Sequence, residues 1–405
     1  MKNNNIANVG GGAAGLMAAG FAARQDNKVT IFEKWNIGKK VLISGNGRCN
    51  LTNKCDVKEL VRNTVTNGKF LYNAFYSFTS QQTIDFFNKL GLATKVERGN
   101  RVFPLSDNSV DVLKALKKFL AGKKIKIKYE TVIGIKKEEK FKILTASHKS
   151  YEFDKVIITT GGKSFPGTGS TGDGYKFARE LGHSIIEPKP ALVPLKVKDK
   201  WLKELNQLKL KNVKAVILNK NKEIVYENFG ELYFRDNYID GPIIITASSV
   251  IDKIADKILS IDLKPALDEK KLDRRLIREF NCNRFYKNVL KNLIPLKMIN
   301  LFIKFSHIPA QKKVNQITKA ERYRIIKLLK NFRIHLQARM GFSRAIVTSG
   351  GIPVNEINPK TLESKICKGL YFAGEVIDVD ALTGGFNLQI AWSTGYVAGK
   401  SAGEK

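Results

Sequence analysis

The sequence predicts an α/β protein in which a parallel-sheet nucleotide-binding domain is cut in two by an insert of different character. Three observations carry this. The chain opens on a strand, a glycine-rich turn, a helix and a second strand in close succession. After about residue 190 the pattern changes to alternating strands and then helices. From about residue 340 glycine-rich α/β sequence returns. The expected division is 1–190 and 340–405 for the two parts of the nucleotide domain, and 191–339 for an inserted β-barrel plus helical subdomain.

The first unit reads "IANV", "GGGAAG", "LMAAGFAARQ" (a helix over 16–25) and "KVTIFEK". Gly10, Gly12 and Gly15 fit G-x-G-x-x-G, and Glu33 follows Gly12 by 21 residues. Gly10 allows the tight turn, Gly12 lets backbone approach a pyrophosphate, and Gly15 lets helix and strand pack closely. Ala13 and Ala14 begin the helix whose N–H groups favour phosphate. A carboxylate ending the second strand takes ribose hydroxyls, and Lys34 stands beside it. The pattern therefore predicts a bound dinucleotide. Asn8 departs from it, because that strand is ordinarily apolar throughout.

Amphipathic helices are expected over 84–92 and 110–121, and a run of strands over 123–158. A second glycine-rich stretch, 159–183, includes Thr160 and Gly161 but lacks the spacing for a second dinucleotide motif. Residues 270–330 read as helices, with Pro295 interrupting one pattern and "TKAE" (318–321) forming a capping box. "FRIHLQ" alternates as a strand.

Composition excludes several classes. No apolar run reaches the ~18 residues of a membrane helix. The first residues do not make a signal peptide, because a glycine triplet is a poor apolar segment and a strand follows directly. Four cysteines without a CxxC, and four scattered histidines, predict neither a disulfide framework nor a metal site and suit a reducing, cytoplasmic setting. The unusual quantity is charge: 70 basic against 37 acidic residues, net +33. Residues 284–339 hold fourteen Lys and Arg and a single acid, Glu321. Arg284, Arg322, Arg324, Arg333 and Arg339 stand among Phe285, Tyr286, Tyr323 and Phe332, a mixture suited to phosphate contact and base stacking. A solvated basic face is the competing reading.

One loop, "ISGNGRCNLTN" (43–53), is too polar and glycine-rich for core. Ser44, Gly45, Gly47 and Asn50 suit close backbone approach to a ligand, and Arg48 suits an anion. Cys49 has two readings. It is a thiol poised by Arg48 to donate a proton, or a small packing residue.

Near the C-terminus, "GLYFAGE" and "TGGFNLQIAWSTG" resemble the second dinucleotide-contact segment of FAD enzymes. With "GGGAAGLMAA", "GKKVLISGNGRCNLTN", "TTGGKSFPGTGSTGDGYKFARELGH" and "VTSGGIP", they make the whole chain resemble the YhiN-like (HI0933-type) FAD-binding flavoproteins. The resemblance implies a glutathione-reductase-like FAD domain with the inserted barrel and helical subdomain. It implies FAD contacts at Lys40, Ser44, Gly45, Gly47, Arg48, Asn50, Thr160, Gly161, Gly374, Glu375, Gly385, Asn387 and Leu388, besides the first glycine loop. It implies an oxidoreductase with NAD(P)H as a transient electron donor, since one dinucleotide motif leaves no separate nicotinamide domain. Members of this group form dihydrouridine in large-subunit ribosomal RNA; others act on aminoacetone-type or steroid-type molecules. The basic insert favours ribosomal RNA as partner, with Cys49 and Arg48 as candidate catalytic residues. The segment "GELYFRDNYIDGP" departs from the family pattern at Asp236, Tyr238 and Asp240.

Overall fold

The computed structural model describes residues 4–24, 27–251 and 254–404. Its contacts divide the chain into Met1–Ala191 with Gly341–Lys405, and Leu192–Met340. The first unit is built on a five-stranded parallel sheet in the order Leu370–Phe372, Lys155–Ile158, Asn5–Val9, Lys28–Phe32, Ile125–Lys128. Parallel strands covered on both faces read as continuous apolar runs, and Val156, Ile157 and Ile158 are fully buried. The run of strands expected over 123–158 splits between two sheets. Ile125–Lys128 edges the parallel sheet, while Val132–Lys137, Phe141–Thr145 and Ser150–Phe153 form a separate antiparallel meander.

The first helix spans Ala13–Ala22. It is shorter than the expected 16–25 at its end, where Gln25 lies outside the described residues. The helix expected over 84–92 is Ser80–Lys89, because Thr79 and Gln82 form a capping box that starts it earlier. Gly91, at φ +90°, then turns the chain away. The helix expected over 110–121 is Ser109–Leu120.

In the second unit six strands close a barrel: Leu195–Val197, Tyr238–Asp240, Ile224–Phe234, Lys209–Leu218, Ile258–Asp262 and Phe332–Arg339. The alternation of Phe332, Ile334 and Leu336 inward with Arg333 and His335 outward is the period of a half-buried strand. The helices Glu269–Phe280, Tyr286–Leu290, Ile299–Ser306 and Lys319–Lys330 belong to this unit, the last opened by the Thr318/Glu321 capping box. Among the described residues no helix is long and apolar enough to cross a membrane.

The first helix packs along the last, Phe386–Gly403, through a seam of small residues. A Cβ built on Gly395 would stand 2.6 Å from the Ala14 carbonyl oxygen, one on Gly399 2.3 Å from that of Ala18, and one on Gly403 2.9 Å from that of Ala22. Alanine is the better helix former by roughly 1 kcal/mol. Here Gly399→Ala instead destabilises by about 1–3 kcal/mol, the cost of overpacking. Urea unfolding measures it; a variant as stable as the wild type would show that the two helices separate without cost.

Candidate functional site

Two helix N-termini and two strand ends surround one cavity in the first unit, about 1110 Å³ including its mouth. Gly10 turns the chain at φ +109°, and any Cβ there would meet the Thr159 carbonyl oxygen at 2.5 Å. Gly15 closes the packing, since its Cβ would stand 2.0 Å from the Gly10 carbonyl oxygen. Asn8 has a physical reason. Its buried amide donates to the Gly10 carbonyl at 2.8 Å and to Thr159 Oγ1 at 3.2 Å, bracing the turn from beneath. The Glu33 carboxylate accepts from Gly11 N–H at 2.8 Å and Trp35 N–H at 2.9 Å and faces the cavity.

The first helix begins at Gly12 without a side-chain cap. No protein atom lies within 4 Å of a Cβ built on Gly12, so backbone opens directly on the space. The last helix also begins uncapped, at Gly385. Its Asn387 and Leu388 line the same cavity. Orphan N–H groups and the positive dipole end of each helix therefore favour negative charge at both places. Gly10, Gly12, Ala13, Ala14, Glu33, Lys40, Ser44, Thr160, Gly161, Gly374 and Glu375 also line it.

Glu375 is the hub of the wall. Its Oε2 pairs with Lys40 Nζ at 2.7 Å; its Oε1 accepts from Thr348 N–H at 2.8 Å and from the Ser164 hydroxyl. A Cβ built on Gly374, which holds φ +76°, would stand 2.8 Å from the Ala14 Cβ, so only glycine lets this strand end pass so near. The Asn387 side chain is spent on the backbone of Ala381, accepting at 3.0 Å and donating at 2.7 Å, so it braces the loop before the helix.

Several expected contacts stand elsewhere. Gly385 is a packing glycine whose Cβ would meet the Thr52 carbonyl oxygen at 2.4 Å. Lys34 turns away to Asp173, 2.7 Å distant. Gly45 and Gly47 lie outside the lining, and with Asn46 and Cys49 they hold left-handed backbone at φ between 56° and 82°. The glycines adopt this backbone freely, and Cys49 is the residue for which it is strained. Asn50 is also off the lining, and its Oδ1 is buried without a hydrogen-bond partner. Arg48 does not face the cavity. It pairs with Glu97 and with Asp107 at 2.6 Å and stacks on Phe103 at 4.0 Å, so its charge is neutralised by protein. The proposed poising of Cys49 by Arg48 therefore fails. Cys49 has no exposed surface, and burial pushes its thiol up to about 12.

Sequence reading missed Gly11, Asn36, Lys39, Ser170 and Val379 on the lining. It also missed Asp378 and Asp380, which flank Val379, are buried and are held above the usual carboxylate range, first by desolvation. Two acids in the wholly buried stretch "IDVD" (377–380) mark no function by themselves. No group of His, Cys, Asp and Glu among the described residues would hold a metal.

The basic run is more neutralised than its sequence suggests. Lys312 pairs with Glu321, Arg322 with Asp273, Lys327 with Glu269 and Lys330 with Asp262. Three of those acids precede residue 284. Arg339 donates to the Ser248 and Ile251 carbonyls. Tyr286 and Phe332 are buried core, which removes them as stacking surfaces.

The profile of the HI0933-like protein Rossmann domain matches residues 4–401. The chain belongs to the HI0933-like family. Its Rossmann domain is of the FAD-binding type. The HI0933-like chain is 33% identical over 416 residues to the 3-dehydro-bile acid delta(4,6)-reductase of Clostridium scindens, covering 99% of this chain and 100% of that protein. It is 29% identical over 391 residues to the ribosomal RNA dihydrouridine synthase of Escherichia coli, covering 96% and 95%. Among solved structures, the 3-ketosteroid-delta4-(5alpha)-dehydrogenase of Rhodococcus jostii RHA1 superposes with a TM-score of 0.54 at 13% identity, covering 100% of this chain and 97% of that one. That likeness establishes the fold.

A protonated, buried thiol is a poor nucleophile. At pH 8 iodoacetamide is expected to leave Cys49 unmodified in the folded protein and to alkylate it after unfolding, read by peptide mass spectrometry. Reactivity should rise only as pH approaches the displaced value near 12. Prompt modification at pH 8 would mean that the loop opens.

Proposed function

We propose that this chain is an FAD-dependent reductase of an electron-poor carbon–carbon double bond, acting on a uridine in large-subunit ribosomal RNA. The observation that carries the cofactor is the cavity itself, where two uncapped helix N-termini and the bare backbone of Gly12 face one space. In this reading the N–H groups of Gly12, Ala13 and Ala14 hold the pyrophosphate, and Glu33 takes ribose hydroxyls. The N-terminus at Asn387 and Leu388 favours the end of the cofactor where negative charge develops. Glu375, fixed by Lys40, Ser164 and Thr348, holds the wall between them.

Bound FAD supplies two-electron redox chemistry, with NAD(P)H as the electron source. Saturating one double bond takes two electrons and two protons. The names of both relatives fit this balance, one a reductase of a delta(4,6) bile acid and one a synthase of dihydrouridine. Net charge of +33 supports the RNA substrate through phosphate attraction, and a target base must leave its stack to meet a flavin. The second reading, a steroid-type small molecule, is favoured by the 33% identity along the whole chain.

The test is a mass-spectrometric count of dihydrouridine in ribosomal RNA from cells with and without the gene. One site is expected to disappear on deletion and to return with the wild type. Because Cys49 is sealed from the cavity, Cys49→Ala should restore it as well. An unchanged count, with reduced enzyme reoxidised by a 3-keto-4,6-diene steroid, would replace the RNA reading with the second.

A further inference from the structure

We propose that one face of the insert, made by the end of the helix Glu269–Phe280, residues 284–291 and the turn at 310–313, binds a single-stranded RNA segment with Phe285 as its stacking surface. This rests on the RNA reading above.

The face is assembled by backbone pairing. Phe285 bridges Lys313 in antiparallel fashion, Tyr286 N–H donates to the Lys312 carbonyl at 2.9 Å, and Val314 N–H donates to that of Arg284 at 2.9 Å. Asn292 ties in the helix, accepting from Arg275 at 3.4 Å and donating to Glu279 at 3.2 Å. Tyr286 points inward and is buried, so its neighbours Phe285 and Lys287 turn outward. Phe285 is 45% exposed.

The acids near this face are already engaged. Glu279 pairs with Arg275, Glu321 with Lys312 and Asp273 with Arg322. Exposed Arg278, Arg284, Lys287 and Lys291 form no ion pair among the described residues. Cations without an ion pair among the described residues thus flank an exposed ring: Arg284 and Lys287 along the chain, and Lys313 across the antiparallel bridge. An aromatic face flanked by cations suits unstacked bases joined by phosphates; a duplex hides its base faces.

The experiment is fluorescence anisotropy of the full-length, FAD-loaded protein with a fluorescein-labelled oligouridylate of about twelve nucleotides, across a potassium chloride series. Each phosphate neutralised on a single strand contributes about 0.7 to the slope of log affinity against log salt. The double variant Lys287→Gln/Lys291→Gln should therefore flatten the slope by about 1.4. Phe285→Ala should weaken binding by about 5- to 150-fold without changing the slope, the range for losing one stacked base. Phe285→Tyr should keep the affinity, and a thermal melt by far-ultraviolet circular dichroism matching the wild type shows that each variant is folded.

Wild-type affinity in Phe285→Ala would overturn the proposal. So would polyphosphate of equal length binding as tightly as the RNA, the behaviour of a solvated basic face. The predicted slopes with an unchanged dihydrouridine count would keep the surface and remove the activity. Loss of dihydrouridine on deletion, with Phe285→Ala binding as the wild type does, would remove the surface alone.

Discussion

Backbone-to-backbone contact between the first and last helices is the constraint from which the cavity follows. Gly395, Gly399 and Gly403 recur every four residues, one helical turn apart on a single face. Opposite them stand Ala14, Ala18 and Ala22, spaced the same way. On the last helix only glycine hydrogens stand at these points, and the Ala14, Ala18 and Ala22 carbonyls approach its backbone directly. The two segments are more than 360 residues apart in sequence, so this seam brings the chain's ends together. It also fixes two uncapped N-termini around one space. Gly374 extends the arrangement by letting the last sheet strand end against Ala14.

The wall opposite depends on charge rather than packing. Glu375, Lys40 and Ser164 come from three separate segments, and the carboxylate satisfies all of them together with the Thr348 amide. Removing one partner would leave a partly buried charge uncompensated, the costly kind of loss. The polar loop 43–53 belongs to the same construction. Its Ser44 reaches the cavity, while Leu51 and Thr52 accept from Trp392 and approach Gly385, seating the start of the last helix. Much of its polarity therefore holds backbone in left-handed geometry rather than touching a ligand. Arg48, clamped by Glu97 and Asp107, secures the exposed side of that loop.

What the sequence made legible was local. Gly10, Gly12, Gly15 and Glu33 could be assigned because a turn, a helix start and a strand end occur within 24 residues, each with its own residue requirement. The barrel was legible as alternation, and the capping box at Thr318 as a short pattern. Illegible features depend on partners distant in sequence. Asn8 reads as a flaw in an apolar strand until Gly10 and Thr159 meet it. The helix Ser80–Lys89 starts earlier than its apolar periodicity because its cap is polar. Cys49 and Arg48 are adjacent in sequence, yet one is sealed in the core and the other faces acids some fifty residues away. Adjacency in sequence said nothing about adjacency of charge and thiol.

The insert carries the same lesson for electrostatics. A charge count over 284–339 overstates the field, because Asp262, Glu269 and Asp273 lie before that window and neutralise cations within it. Paired surface charges contribute little to stability and are screened by salt. They also attract a polyanion less than bare ones do. The residual field is set by cations that form no ion pair among the described residues, and Arg284, Lys287 and Lys313 beside Phe285 are among them. Electrostatic attraction to phosphate is indifferent to base sequence. Charge on this face therefore accounts for capture and orientation of a strand, and selection of one base must come from the shape and hydrogen bonding of the site where reduction takes place.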